Sequence, residues 1–149
     1  QAISYGNVYV AQVAMGANAQ QTLLALREAE AYPGPSVVLA YSQCIAHGID
    51  MQKGMTQQKL AVDCGHWPLI RYNPTLREAG KNPFVLDSPR PTIKLKDYAY
   101  NELRYSILAR TNPEEAERLM KAAQEMVDLR WKTYEDMAGW GAKEFNPVV

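Results

Sequence analysis

"VYVAQVAMGANAQQTLLALREAEAYPGPSVVLAY", residues 8–41, is the stretch from which the fold follows. Its opening, 8–16, alternates imperfectly and is compatible with a strand or with the start of an apolar helix. Asn18 then offers a side-chain oxygen as a helix N-cap. Over 19–32, Leu23, Ala25, Leu26 and Ala29 recur at helical spacings, and Pro-Gly-Pro at 33–35 ends the run. "SVVLAY" (36–41) is short and apolar at consecutive positions. That pattern suits a parallel strand covered on both faces by helices. Residues 8–41 therefore predict one β-α-β unit, for which a right-handed crossover is expected.

Downstream, 42–55 is a glycine-dotted loop carrying Cys44. "MTQQKLAVDCGHW" (55–67) predicts a short helix with Thr56 as N-cap and Gly65 near its end. "WPLIRYNP" (67–74) is a further strand, and 75–92, broken by prolines and glycines, is expected to wrap the surface as irregular chain. From Lys94 the character becomes helical: Leu95, Ala99, Leu103 and Ile107 lie four apart on one face across 94–110. At "TNPEEAERLMKAAQEMVDLRWKTYEDMAGWG" a full start signal appears, with Asn112 as N-cap, Pro113 at the first helical position and Glu115 closing a capping box. Met120, Val127, Trp131, Tyr134 and Ala138 share a stripe, and Gly139 is the expected stop. The expected fold class is α/β: a parallel β-α-β unit plus a further strand, then a long C-terminal helical segment. Its expected division is 1–92 for the α/β part and 93–149 for a helical extension packed on it.

The chain of 149 residues is of single-domain size, 47% hydrophobic, with zero formal net charge. This balance gives no electrostatic case for a nucleic-acid or anionic-membrane partner. No apolar run is long enough to span a bilayer. The N-terminal residues lack the basic region of a signal peptide. Two cysteines are too few for a disulfide framework, so a reducing, cytoplasmic setting is the expectation. The chain opens on Gln1, compatible with processing or with a piece of a longer polypeptide.

Chemistry-bearing side chains are few. Cys44 and His47, then sixteen residues, then Cys64 and His66 make a C-x2-H and C-x-H set that a small zinc protein would need to gather into a tetrahedron. The second spacing is unusual, and two separate thiols with two polar imidazoles is the plainer alternative. Cys44 beside His47 is also a candidate nucleophile, with Asp50 or Asp63 as the orienting group. Neither "MGAN" nor "GPS" is a phosphate cradle. Glu114 and Glu115 fit a helix start, where the macrodipole favours carboxylates. Composition and spacing thus define an α/β domain without a self-contained catalytic site, and leave Cys44 open.

Four ordered blocks carry a resemblance: "YGNVYVAQVAMGAN" (5–18), "EAEAYPGPSVVLAYSQCIAHGID" (28–50), "GHWPLIRYNP" (65–74) and "GKNPFVLDS" (80–88). Together they resemble the pyruvate:ferredoxin (flavodoxin) oxidoreductase family, at the end of its thiamine-diphosphate-binding domain and on through its C-terminal helices. The resemblance implies a partial thiamine-diphosphate-binding fold. It also implies a parent enzyme, dimeric, that decarboxylates pyruvate on thiamine diphosphate and gives the acetyl group to coenzyme A. Electrons would leave singly through three 4Fe–4S clusters to ferredoxin or flavodoxin.

For Cys44 the resemblance implies the fourth ligand of the cluster nearest the thiamine, the other three thiolates coming from upstream cysteines that include a C-x-x-C pair. No such pair is present. Nor is the Gly-Asp-Gly that holds the diphosphate through Mg²⁺, so Cys44 is the one family site residue transferred, as a metal ligand. Cys64 departs from the family's usual serine before "GHW", and His47 is not a fixed position. The expectation is a segment of such an oxidoreductase, inactive alone. The alternatives are a free-standing structural or interaction domain, or the small zinc protein.

Overall fold

Residues 1–141 are described by the computed structural model. The 8–16 run forms a strand, β1 (Tyr9–Val13), and not a helix. Asn18 Oδ1 accepts the Gln21 N–H at 2.9 Å, and α1 (Ala19–Ala31) follows. β2 (Ser36–Ala40) returns parallel to β1, with Val10 opposite Val37 and Val13 opposite Ala40. Then come α2 (Gly54–Asp63), β3 (Ile70–Tyr72), α3 (Thr75–Glu78), β4 (Phe84–Leu86), α4 (Leu95–Ala99), α5 (Leu103–Thr111) and α6 (Pro113–Gly139). The sheet order is β2-β1-β3-β4, with β3 antiparallel to both β1 and β4. The fold is mixed α/β.

The pleat of β1 sends alternate residues to opposite faces. Val8 and Val10 join Ile70, Tyr72 and Phe84, and Tyr134 and Met137 of α6 pack over them. Tyr9, Ala11 and Val13 face the other way, onto Ala25 of α1. A separate cluster, Ala61, Cys64, Leu95, Tyr98, Ala99 and Val127, binds α2, α4 and α6 together. Ala14, Val62 and Leu69 make a further small cluster at the end of β1. No helix among the described residues is long and apolar enough to cross a membrane.

Several expectations are corrected. Among the described residues β2 pairs with β1 alone and lies at the sheet edge, so Val37 and Leu39 are 38% and 47% exposed despite the run of apolar residues. Likewise Leu23, Leu24 and Leu26 of α1 are exposed, while Gln21, Thr22 and Ala25 face inward. Thr56 lies inside α2, which begins two residues earlier and whose N-cap is Lys53. The stretch 75–92 is not wholly irregular: it contains α3, and β4 pairs Phe84 with Tyr72. The single helix expected over 94–110 is split into α4 and α5, because Glu102 at the break is extended and its side chain turns inward.

For α6 the start is as expected, Asn112 Oδ1 accepting the Glu115 N–H at 3.2 Å with Pro113 next in line. The Glu115 carboxylate, however, engages Arg118, one turn on, and does not complete the capping box. Val127 and Trp131 are buried and Met120 and Tyr134 half-buried, but Ala138 is exposed and Met137 takes its place. The helix ends at Gly139, and 142–149 of the expected helical extension lie outside the described residues.

Candidate functional site

The loop that carries Cys44 leaves the carboxyl end of β2, the edge of an open α/β sheet at which ligands bind. Its first residue still belongs to the ladder, Tyr41 donating its N–H to Val13 O at 2.9 Å. Gln43 is held from α2: Gln58 Nε2 donates to Gln43 Oε1 at 3.1 Å, while Gln58 Oε1 accepts the Gly16 N–H at 2.8 Å. One buried amide thereby ties together the chain leaving β1 and the chain leaving β2. Gly16 has to be glycine, since a Cβ there would lie 2.5 Å from Met55 O.

Cys44 is exposed and opens a short 3-10 turn, Ile45–His47. Its carbonyl accepts the His47 N–H at 3.0 Å, its thiol caps nothing, and Gly48 ends the turn at φ 69°. A second set of contacts, from the α4–α5 break, holds the far side of the turn. His47 Nδ1 lies 2.8 Å from Glu102 Oε2, and Arg104 Nη1 lies 2.9 Å from His47 Nε2. A guanidinium only donates, so Nε2 is the acceptor and Nδ1 carries the proton given to the carboxylate. Glu102 Oε1 accepts from Gln57 Nε2 at 3.1 Å, and the Leu103 N–H donates to Gly48 O at 3.3 Å. Tyr105 presents its ring edge-on to the His47 ring, centroids 6.4 Å apart.

The other candidates are not gathered with Cys44. Asp50 accepts the Gln52 N–H and pairs with Lys53, and Asp63 pairs with Lys59 at 2.6 Å. With both nitrogens of His47 engaged by Glu102 and Arg104, the imidazole is not aimed at the thiol. Cys64 is buried, its thiol donating to Ala61 O at 3.4 Å, and burial pushes that thiol up to about 11. His66 stacks on Tyr98, centroids 5.0 Å apart, and burial lowers its basicity. Among the described residues no three His, Cys, Asp or Glu side chains are placed to hold a metal ion. The chemistry on offer is therefore one accessible thiol on a braced turn.

No sequence pattern points to Gln57, but one points to Glu102. Leu95, Tyr98, Ala99 and Glu102 follow the i, i+3, i+4, i+7 pattern of a buried stripe, with a carboxylate in its last place. Elsewhere an apolar cleft of about 540 Å³ opens among α4, α5 and α6, lined by Tyr98, Leu119, Met126 and Arg130 among others.

Fold and site together define a partial mixed α/β unit with a thiol-bearing turn at the carboxyl edge of its sheet. No protein-family model matches the chain. It is, however, 53% identical over 137 residues to the putative pyruvate-flavodoxin oxidoreductase of Synechocystis sp., covering 92% of this chain and 11% of that protein. It is 48% identical over 137 residues to the pyruvate:ferredoxin oxidoreductase of Moorella thermoacetica, covering 92% and 12%. Against the probable pyruvate-flavodoxin oxidoreductase of Escherichia coli the identity is 41% over 139 residues, covering 93% and 12%. The resemblance drawn from the four sequence blocks is borne out: the chain corresponds to a segment of pyruvate-flavodoxin and pyruvate:ferredoxin oxidoreductases, about one ninth to one eighth of their length.

Proposed function

We propose that this chain works as a segment of an enzyme that oxidatively decarboxylates pyruvate to acetyl-coenzyme A with flavodoxin or ferredoxin as acceptor, and that Cys44 supplies one of four thiolates to a 4Fe–4S cluster. The observation that carries the reading is the placement of Cys44: an exposed thiol, engaged by no cap, on a turn braced from both sides at the carboxyl end of β2. One thiolate suits one corner of such a cluster. The remaining three would come from polypeptide outside this chain, since Cys64 is buried against its own helix. When bound, the cluster accepts and releases single electrons. This chain's part is to hold its thiol at the sheet edge.

Thiamine diphosphate and Mg²⁺ find no matching Gly-Asp-Gly here, so no step through them is assigned to these residues. Exposed apolar surface on the Val37–Leu39 face of β2, on α1 and in the α4–α5–α6 cleft supports a segment packed within a larger body. The same proposal includes the division at residue 92, activity only in the complete enzyme, a homodimeric parent and a cytoplasmic setting. The test is made in the full-length enzyme that contains this segment. Cys44→Ala is expected to remove or distort one cluster, seen as lost iron and a lost paramagnetic signal on reduction, whereas Cys64→Ala leaves every cluster intact. Unchanged iron content and signals in Cys44→Ala would sink the assignment.

A further inference from the structure

We propose that Glu102 and His47 are positioning residues for the Cys44 thiolate, which makes the α4–α5 break a brace for the cluster side of the molecule. This rests on the cluster assignment above and extends it to residues beyond the ligand itself. The Glu102 carboxylate is 2% exposed, and both of its oxygens are used, one on His47 and one on Gln57. A buried carboxylate is retained only where hydrogen bonds and charge compensate its desolvation. Here two donors reach it, His47 from the Cys44 turn and Gln57 from α2, and Arg104 of α5 donates in turn to the far nitrogen of the same imidazole.

The backbone repeats the link, Leu103 N–H to Gly48 O, one residue beyond His47. The four-residue spacing of Leu95, Ala99, Leu103 and Ile107 runs through the break, yet the backbone is extended at Glu102, so the interruption and the buried carboxylate occur at the same residue. Ligand orientation by such outer partners tunes both occupancy and potential of a metal group. The Glu102–His47–Arg104 chain, a carboxylate and a guanidinium with an imidazole between them, fixes one ring tautomer and two opposite charges beside the ligand turn.

The experiment uses the full-length holoenzyme and reads each cluster by paramagnetic resonance during a redox titration, with iron content alongside. Cys44→Ala defines which signal belongs to this turn. Glu102→Gln and His47→Phe, the latter keeping a ring against Tyr105, are expected to change the midpoint potential or line shape of that same signal and leave the others as in the wild type. If Glu102→Gln does not fold, His47→Phe alone decides. Should Cys44→Ala lose a signal while the folded variants keep its potential and line shape, the positioning role is overturned and the cluster assignment stands. Should Cys44→Ala lose no signal, the cluster assignment falls, and this inference with it.

Discussion

Arg71 and Asp87 are joined by two parallel hydrogen bonds, Nε to Oδ2 and Nη2 to Oδ1, each 2.8 Å long. The third prong of the guanidinium, Nη1, reaches Glu28 Oε1 on α1 at 2.6 Å. Tyr9 donates its hydroxyl to the other Glu28 oxygen, and Gln21 donates to Asp87 Oδ2. Burial, then the Glu28 contact, holds the Tyr9 phenol well above its ordinary value. Because α1 turns its leucines outward, this polar network does for the helix–sheet contact much of what apolar packing does elsewhere.

Arg71→Leu should therefore destabilise the fold by about 3 kcal/mol, since it leaves two partly buried carboxylates without their cation. Arg71→Lys should fall in between, because an ammonium cannot reproduce the two-pronged geometry. Denaturant unfolding of the three proteins measures this. Equal midpoints for wild type and Arg71→Leu would mean that α1 is held some other way.

Gly48 offers a sharper test of the braced turn. Its φ of 69° disfavours any side chain, and an added Cβ would sit 2.5 Å from Leu103 Cβ. Gly48→Ala is expected to cost about 2 kcal/mol, from the left-handed backbone and the overlap together. Asn tolerates positive φ better than Ala, but the overlap persists. Gly48→Asn should therefore rescue little, and amide exchange across 44–48 should quicken in both variants. Full rescue by Asn would show that the contact with Leu103 is dispensable.

How much of this was legible beforehand depends on where the information lies. Asn18 and Asn112 act within one turn of chain, and their caps, α1 and α6 follow from local chemistry. β4 is three residues among prolines, too short for a period, and exists because Phe84 meets Tyr72 from a distant strand. The outward leucines of α1 and the exposed Val37–Leu39 face of β2 contradict the local pattern for a related reason. An apolar residue declares what it needs buried, not which piece of polypeptide buries it. Cys44 was visible as a candidate through the family resemblance, but its brace was not. Glu102 and Arg104 reach His47 of that turn across 55 and 57 residues of sequence, and Gln57 reaches Glu102 across 45, by contacts that no local spacing encodes.

The two cysteines should differ sharply toward an alkylating agent. Cys44 is exposed, while Cys64 is fully buried with its thiol pushed up to about 11, first by loss of solvent. Since the thiolate is the reacting species, iodoacetamide at pH 8 should label Cys44 at least tenfold faster, and Cys64 should react only after denaturation. Peptide mass spectrometry over a time course reads both rates. Comparable labelling of the native protein at Cys64 would contradict its burial between α2 and α6.

His66 supplies a pH dependence with a definite sign. Burial is the main cause of its lowered basicity, Arg130 adds to it, and Glu102 opposes both. The folded chain therefore keeps this imidazole neutral at a pH where the unfolded chain, near its ordinary value of about 6.5, already takes up a proton. The stabilisation from keeping it neutral is complete above that ordinary value and is lost progressively as pH falls toward and through the folded value. His66→Phe retains a ring to stack on Tyr98 and removes the titration. Unfolding free energies measured from pH 7.5 to 5 should thus fall more steeply for the wild type than for His66→Phe, with the two curves parallel above pH 7. Parallel curves over the whole range would mean that His66 titrates alike in both states and that its seat against Tyr98 is open to water.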